Sequence, residues 1–501
     1  MIVITKKSFL ISTAIDYPSS KPHLGHAYEK ICADVIARWE RLNGKDVWFS
    51  TGLDCHGLKI QKVAEKAGKQ PSDFVTEMEK FFRELCEKLN ISYDDFIKTT
   101  ENRHKTVVNQ ILKKLDDNND IYKGHYEGYY CIDCETFYTE KDLVDGKCPV
   151  HKKEVEISKE EGYFFKLSKY KNQIIDHIKS NKDFIFPERK VHEILNRLEE
   201  PLRDLSISRA TVKWGIPLPF DKDLTIFVWL EALTNYLSTA NYPTEKFKSL
   251  WPPTILIGPD IIWHHSVIFS AILLSLGITL PKIIVHGFIT TKGEKLSKSR
   301  GLIIDPIQLV GKYGSDAVRY YLLRNISFGE DGDFSEEALV NRLNGDLADN
   351  LGNLVNRVLV LVEKNFDNKI PKACKTDLKD NKLADLLDKT PEKVSIDFDN
   401  YHFNFALEAI FHLVSESNKY INDTEPWKIK DKERLSNVLY LLLESLRYTA
   451  ILLYPFIPET SEKIFEQLNL EKEFSLKDLK WGILKEGHKI KRGKILFEKV
   501  R

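Results

Sequence analysis

Four segments at the start of the chain leave few options for the fold. An apolar run, SFLISTAI (Ser8 to Ile15), leads into the loop PHLGH (Pro22 to His26). An amphipathic segment, AYEKICADVIARWERLNG, follows, and then a second apolar run, DVWFSTG. Strand, loop, helix and strand in that order make a βαβ unit, and the fixed hand of such crossovers implies a parallel sheet. Asn43 and Gly44 close the helix in the usual way. QPSDFVTEMEKFFRELCEKLNI then repeats apolar residues at three and four spacing, the period of another helix.

Between about residues 115 and 215 the character changes. Aromatics, turns and four close-set Cys/His residues in YEGYYCIDCETFYTEKDLVDGKCPVHKKEVE mark an insertion into the α/β domain. The α/β pattern resumes with TIFVWLEALTNYLST, PTILIGPDIIWHHSVIFSAILLSLG and the strand KIIVHGFI. From about residue 335 onward the period is helical, as in an all-α bundle.

At 501 residues the chain is too long for one core. Lys+Arg and Asp+Glu both number 74, so total charge does not advertise a nucleic-acid partner, although a local basic face would suffice for one. No apolar run reaches the roughly 18 residues that span a bilayer, so no membrane partner is expected. The seven cysteines are odd in number and scattered. With no cleavage site near the start, they point to a reducing, cytoplasmic compartment.

Three clusters carry chemistry. At the carboxyl end of a parallel strand, a helix N-terminus offers unpaired N–H groups and partial positive charge to an anion. In PHLGH, Gly25 lets a ligand approach the backbone, and His23 and His26 could donate to phosphate oxygens; alone, the segment reads equally well as a surface loop. In TTKGEKLSKSRG (Thr290 to Gly301), Lys295 and Lys298 alternate with Ser297 and Ser299. Lysine point charges suit a polyphosphate whose charge redistributes during reaction. Cys131 and Cys134 form a CxxC, and Cys148 and His151 a CxxH after a thirteen-residue gap. Such a set favours one tetrahedral Zn²⁺ with no open position, a structural ion for an insertion that lacks a core of its own.

HxGH near the first strand and KxSKS after the last strand of a split α/β domain form the signature pair of class I aminoacyl-tRNA synthetases. The chain resembles that class, and more closely the methionyl-tRNA synthetases. TGLDCHGLKIQKVAEKAG, CIDCETFYTEKDLVDGKCP, EGYFFKLSKY, VWLEALTNYL, LIGPDIIWHHS and EPWKIK follow in family order, so the likeness spans essentially the whole chain. The resemblance implies an α/β Rossmann-type parallel-sheet catalytic domain with a zinc-knuckle insertion, followed by an all-α C-terminal helix bundle. Its parts would be Rossmann halves at 1–115 and 215–289, a connective insertion at 116–214, a lysine–serine loop and stem-contact region at 290–340, and a helical anticodon-binding domain at 341–501.

The activity implied is ATP-dependent activation of L-methionine to methionyl-adenylate and transfer to the 3′ end of tRNA(Met), with the 2′-hydroxyl as first acceptor. By the same resemblance His23 and His26 hold ATP phosphates, and Lys295, Ser297 and Lys298 close over the β- and γ-phosphates. Gly25 lies against the adenosine, Gly258 and Asp260 lie near its ribose, and Mg²⁺ accompanies ATP. Asp54 faces the substrate ammonium. Ile15, Tyr17, Trp229, Ala232, Leu233, Tyr236, Ile261 and His265 form the side-chain pocket, where aromatics suit a thioether and Tyr17 and His265 could donate to its sulfur. Trp427 stacks on an anticodon base, and Asn350 and Asn353 could read base edges. The chain ends soon after the bundle, so a monomer is expected.

Several positions depart from the family pattern. Leu233 stands where proline is common, Phe269 where tryptophan often lies, Asp16 where proline or tyrosine is usual, Cys55 where glutamate is typical and Leu296 in place of methionine. GLDCHGL also echoes the isoleucyl motif, so a class I synthetase for another aliphatic amino acid stays open. Against it, the interval from His26 to Lys295 has no room for the large editing domain of isoleucyl, valyl and leucyl relatives.

Overall fold

Six strands make the central sheet: β1 (Ser8–Thr13), β2 (Asp46–Leu53), β3 (Asp95–Lys98), β4 (Ile185–Phe186), β5 (Thr254–Ile257) and β6 (Lys282–Val285). Their spatial order is β3-β2-β1-β5-β6-β4, and every neighbouring pair is parallel. The structure, a computed structural model, describes residues 7–133, 136–138, 140–149, 152–291, 294–295, 304–372 and 378–500. Leu10, Ile11, Ile255, Leu256, Ile257, Ile283, Ile284 and Val285 are all buried. Helices cover both faces of a parallel sheet, which is why these strands are apolar on both sides instead of alternating.

The chain runs outward from β1 to β2 and β3, lays β4 at the opposite edge, and then returns to the other side of β1 at β5 and moves outward to β6. Crossovers therefore leave β1 and β5 in opposite directions. The crevice above their carboxyl ends is the topological switch point at which open α/β sheets hold ligands. The helix Leu24–Leu42 starts in that crevice, and the 3₁₀ turn Pro259–Ile261 opens beside it.

The insertion is a twisted ribbon in which Ile121–Cys131 pairs antiparallel with Glu156–Phe165. It is less self-contained than the sequence suggests. Within it, β4 pairs Ile185 with Ile283 and Phe186 with Ile284 of β6, and so completes the far edge of the central sheet. A two-residue strand leaves no periodic pattern to read.

The C-terminal bundle comprises the helices Asn353–Phe366, Leu378–Asp399, Phe403–Thr424, Lys432–Leu453 and Pro458–Gln467. The helical run before it is interrupted: Leu343–Gly352 is wound as π-helix, a widening that tends to mark functional positions. The bundle joins the catalytic half through Arg319 on the helix Ser315–Asn325, a residue with no exposed surface. Its guanidinium donates to the carbonyls of Leu89, Pro455 and Phe456 at 2.7–3.0 Å and lies 2.8 Å from Asp34 on the first helix. Four chain segments thus share one buried cation, each of whose nitrogens has an oxygen partner, the condition under which a buried charge is tolerated.

Candidate active site

His23 is the N-cap of the helix Leu24–Leu42. Its Nδ1 accepts the Gly25 N–H at 3.1 Å, and His26 Nδ1 accepts the His23 N–H at 3.0 Å. The two imidazoles thus form a reciprocal capping box. Because each Nδ1 is an acceptor, the proton of each neutral ring sits on Nε2 as a hydrogen-bond donor. The rings lie with centroids 3.8 Å apart. Gly25 is required sterically, since a Cβ there would stand 2.9 Å from His23 Cε1.

The histidines open onto a cavity of about 300 Å³ at the switch point. Of the residues expected at the nucleotide end, His23, Gly25, His26, Gly258 and Asp260 line it. So does the whole expected amino-acid set: Ile15, Tyr17 and Asp54 from the ends of β1 and β2, Trp229, Ala232, Leu233 and Tyr236 from the helices Val228–Leu233 and Asn235–Thr239, and Ile261 and His265 after β5. For Lys295 only the backbone is described, as part of the strand Glu294–Lys295; Leu296, Ser297 and Lys298 lie outside the described residues.

One expectation is corrected. His265 Nδ1 lies 2.9 Å from the Ile261 carbonyl, which can only accept, so Nδ1 carries the proton. Its Nε2, 2.7 Å from Tyr236 Oη, therefore accepts the phenolic hydrogen. Burial pushes the imidazole down to about 4, so it stays neutral and has no second proton to give. Tyr17 donates its hydroxyl to the His56 carbonyl at 2.7 Å. Both groups expected to donate to a thioether sulfur are already committed inside the protein. What this wall offers a side chain is apolar and aromatic surface, to which Phe269, tilted against Tyr236 at 5.5 Å, contributes from behind.

The structure also explains a departure and supplies residues the sequence did not flag. Asp16, Glu29 and His286 all line the cavity. Lys30, 1% exposed, places its ammonium 3.0 Å from both Asp16 and Glu29 and donates to Thr13 Oγ1 and the Ala14 carbonyl. Asp16 is thus the partner of a buried lysine. Burial raises its carboxyl to about 7 despite the lysine, whereas Glu29, flanked by Lys30 and by His286 at 3.3 Å, overcomes its own burial and is held low. The available signal was a lysine on the apolar face of the first helix, one turn beyond His26. Cys55 is fully buried and its thiol is pushed up by burial, which makes it inert.

At the tip of the insertion Cys131 and Cys148 are buried thiols without a disulfide. Cys134 and His151 lie outside the described residues.

On the bundle, a polar groove is lined by Asn350, Asn353, Arg357, Ser415, Asn418 and Asn422. Asn350 donates to Ser415 Oγ at 2.9 Å and accepts from Asn418 at 2.9 Å. Arg357, unremarked in the sequence, donates to Asn422 at 2.6 Å. Trp427 follows the helix Phe403–Thr424 on the turn Pro426–Lys428 and is 56% exposed, unusual for so large an apolar ring.

Known proteins agree with this geometry. A family model described as tRNA synthetases class I (M) matches residues 9–156 and 141–359, and one described as the anticodon-binding domain of tRNA ligase matches 380–496. The methionine–tRNA ligase of Caldanaerobacter subterraneus subsp. tengcongensis is 46% identical over 505 aligned positions, which cover 99% of this chain and 79% of that protein. That of Thermotoga maritima is 42% identical, covering 98% and 80%. The solved structure of Mycobacterium tuberculosis methionyl-tRNA synthetase in complex with methionyl-adenylate superposes with a TM-score of 0.95 at 38% identity, covering 98% of this chain and 99% of that one. The apo form of the same enzyme gives 0.88 at 36% identity, covering 99% of each. With a switch-point cavity flanked by a histidine cradle, and relatives at this identity along nearly its full length, the chain belongs to the methionyl-tRNA synthetases of class I.

Proposed function

We propose that this chain is a ligase that activates L-methionine with ATP and transfers it to tRNA(Met). The observation that carries the reading is the single cavity in which the histidine cradle and the complete amino-acid pocket meet. ATP enters with Mg²⁺, its phosphates against the Nε2–H groups of His23 and His26 and the open end of the first helix. Asp260 and Gly258 take the ribose, and Asp54 pairs with the amino-acid ammonium. The methionine carboxylate attacks the α-phosphorus, the bond to the β-phosphate breaks, and pyrophosphate leaves with the electron pair. Lys295 and Lys298, with Ser297, neutralise the charge gathering on it. The terminal ribose hydroxyl of tRNA then attacks the adenylate carbonyl and releases AMP. Positioning and electrostatics do most of this, with little covalent work for the protein.

The pocket has aromatic walls, and its Tyr17 hydroxyl and His265 Nδ1–H are engaged within the protein, which suits an unbranched, polarizable side chain. Trp427 supplies a stacking face to an unpaired anticodon base, with Asn350, Asn353 and Arg357 lining the adjacent groove. Cys131, Cys134, Cys148 and His151 would hold one structural Zn²⁺. The two described thiols fit that role, being buried at a tip with little core, and the ion would stabilise the ribbon end. No described helix is long and apolar enough to cross a membrane. The described cysteines form no disulfide, which supports a cytoplasmic setting, and exposed large apolar side chains dispersed over insertion, bundle and tail support a monomer.

Amino-acid-dependent ATP–pyrophosphate exchange across the twenty amino acids tests the reading. Exchange with methionine alone is expected. Exchange with isoleucine or valine instead would overturn the methionine assignment.

A further inference from the structure

Behind the amino-acid end of the cavity lies a buried ionic cluster that substrate does not touch in the reaction outlined above. Glu231 has no exposed surface and sits on the helix Val228–Leu233, between Trp229 and Ala232 of the pocket wall. One of its carboxylate oxygens lies 2.8 Å from His56 Nδ1 and the other 3.6 Å from His104 Nε2. His56 follows Asp54 by two residues, and its carbonyl accepts the Tyr17 hydroxyl. His104, on the helix Asn102–Asp117, is 3.0 Å from Ser238 Oγ. The carbonyl of Cys55, between Asp54 and His56, accepts from Trp214 Nε1 at 2.6 Å. Burial works to raise the Glu231 carboxyl, but His56 and His104 outweigh it and hold the group down to about 2, so it is ionised at neutral pH.

The cluster joins two parts of the pocket that are remote in sequence. Asp54, on one side, is the counter-charge for the substrate ammonium. Trp229, Ala232 and Leu233, on the other, meet the side chain. The Glu231–His56 contact is a direct tie between them, and a buried carboxylate cannot drift without losing its partners. Resting on the methionine reading above, we propose that Glu231 is a positioning residue that fixes the distance between the ammonium end and the side-chain end of the amino-acid pocket, and so helps to set which side-chain length is accepted. The nucleotide end hangs from β1, the first helix and the turn after β5, none of which carries a member of this cluster.

The test is pyrophosphate exchange with methionine and ATP titrated separately, on the intact protein and on Glu231→Gln, Glu231→Asp and His104→Gln, each with its melting midpoint. Glu231→Gln should raise the KM for methionine at least tenfold and leave the KM for ATP within twofold. It should also narrow the preference for methionine over leucine. Glu231→Asp, which keeps the charge, should recover part of the loss, and His104→Gln, which severs only the far arm, should raise the methionine KM by a smaller factor. Equal rises in both KM values, or an unchanged methionine KM in a folded Glu231→Gln protein, would overturn the proposal. If Glu231→Gln does not fold, His104→Gln decides by the same criterion. A wild-type protein that does not exchange with methionine removes the functional reading itself, whereas normal wild-type exchange with an unaffected variant removes only the role of Glu231.

Discussion

Replacing Asp16 by asparagine should stabilise the protein clearly at pH 8 and by about a third as much at pH 5. Asp16 and Glu29 share one ammonium, Lys30, at 3.0 Å each, in a site where all three are at most 6% exposed. Two carboxylates and one lysine leave an excess negative charge, and Glu29 has the stronger claim because His286 also faces it. Burial therefore raises Asp16 from 3.8 to about 7. Between those values the folded protein holds a proton that the unfolded chain has released, so this group's contribution to stability falls as pH rises from about 4 to 7. Above pH 7 the ionised carboxylate is a net penalty. The rise from 3.8 to about 7 corresponds to at most about 4 kcal/mol. The asparagine carbonyl can still accept from Lys30, which keeps Glu29 as its counter-ion. Scanning calorimetry at the two pH values is the assay: the variant's midpoint should exceed the wild type's at pH 8 by clearly more than it does at pH 5. A variant destabilised at pH 8 as much as at pH 5, or more, would refute the account of an over-supplied lysine.

Lys30→Met tests the same cluster from the other side. It leaves two buried carboxylates without a cation and should cost about 3–5 kcal/mol, read as a lower melting midpoint at pH 8. Gly25→Ala should displace the His23 ring, because the new Cβ meets Cε1 at 2.9 Å; the KM for ATP should rise by about an order of magnitude in pyrophosphate exchange, with the methionine KM little changed. Trp427→Ala should leave pyrophosphate exchange intact and weaken tRNA. Loss of one stacked base, at about 1–3 kcal/mol, predicts a rise of roughly fivefold to 150-fold in the KM for tRNA.

The parts of this molecule that could be read in advance are those written in local pattern. The run Ser8–Thr13, the helix Leu24–Leu42 and the run Asp46–Leu53 declare themselves by period, and HxGH marks the loop between them. The pocket residues were reachable through motif order, because family likeness carries positions even when no pattern in the residues does. Pairings between distant residues were not reachable. Nothing near Asp16 announces Lys30, and nothing near His56 announces Glu231; each looks like an anomaly until the fold supplies its partner. The hydrogen-bond directions at His265 and Tyr17 were equally hidden, since a donor in the sequence is a donor to substrate only if the protein has not engaged it first. The edge strand Ile185–Phe186 and the π-wound Leu343–Gly352 fail for another reason, the first being too short for periodicity and the second differing from α-helix by geometry alone.

The spacing of three between His23 and His26 is the spacing of a helix-capping pair, and its consequence reaches beyond binding. The ring nitrogens that start the first helix and those proposed to meet the phosphates belong to the same two side chains, joined through rigid imidazoles. A correctly begun helix is then an aimed pair of ligands, and a frayed first turn points them elsewhere. Assembly of the site is to that extent self-checking: a misfolded helix start presents no half-competent cradle in which ATP could be bound and wasted.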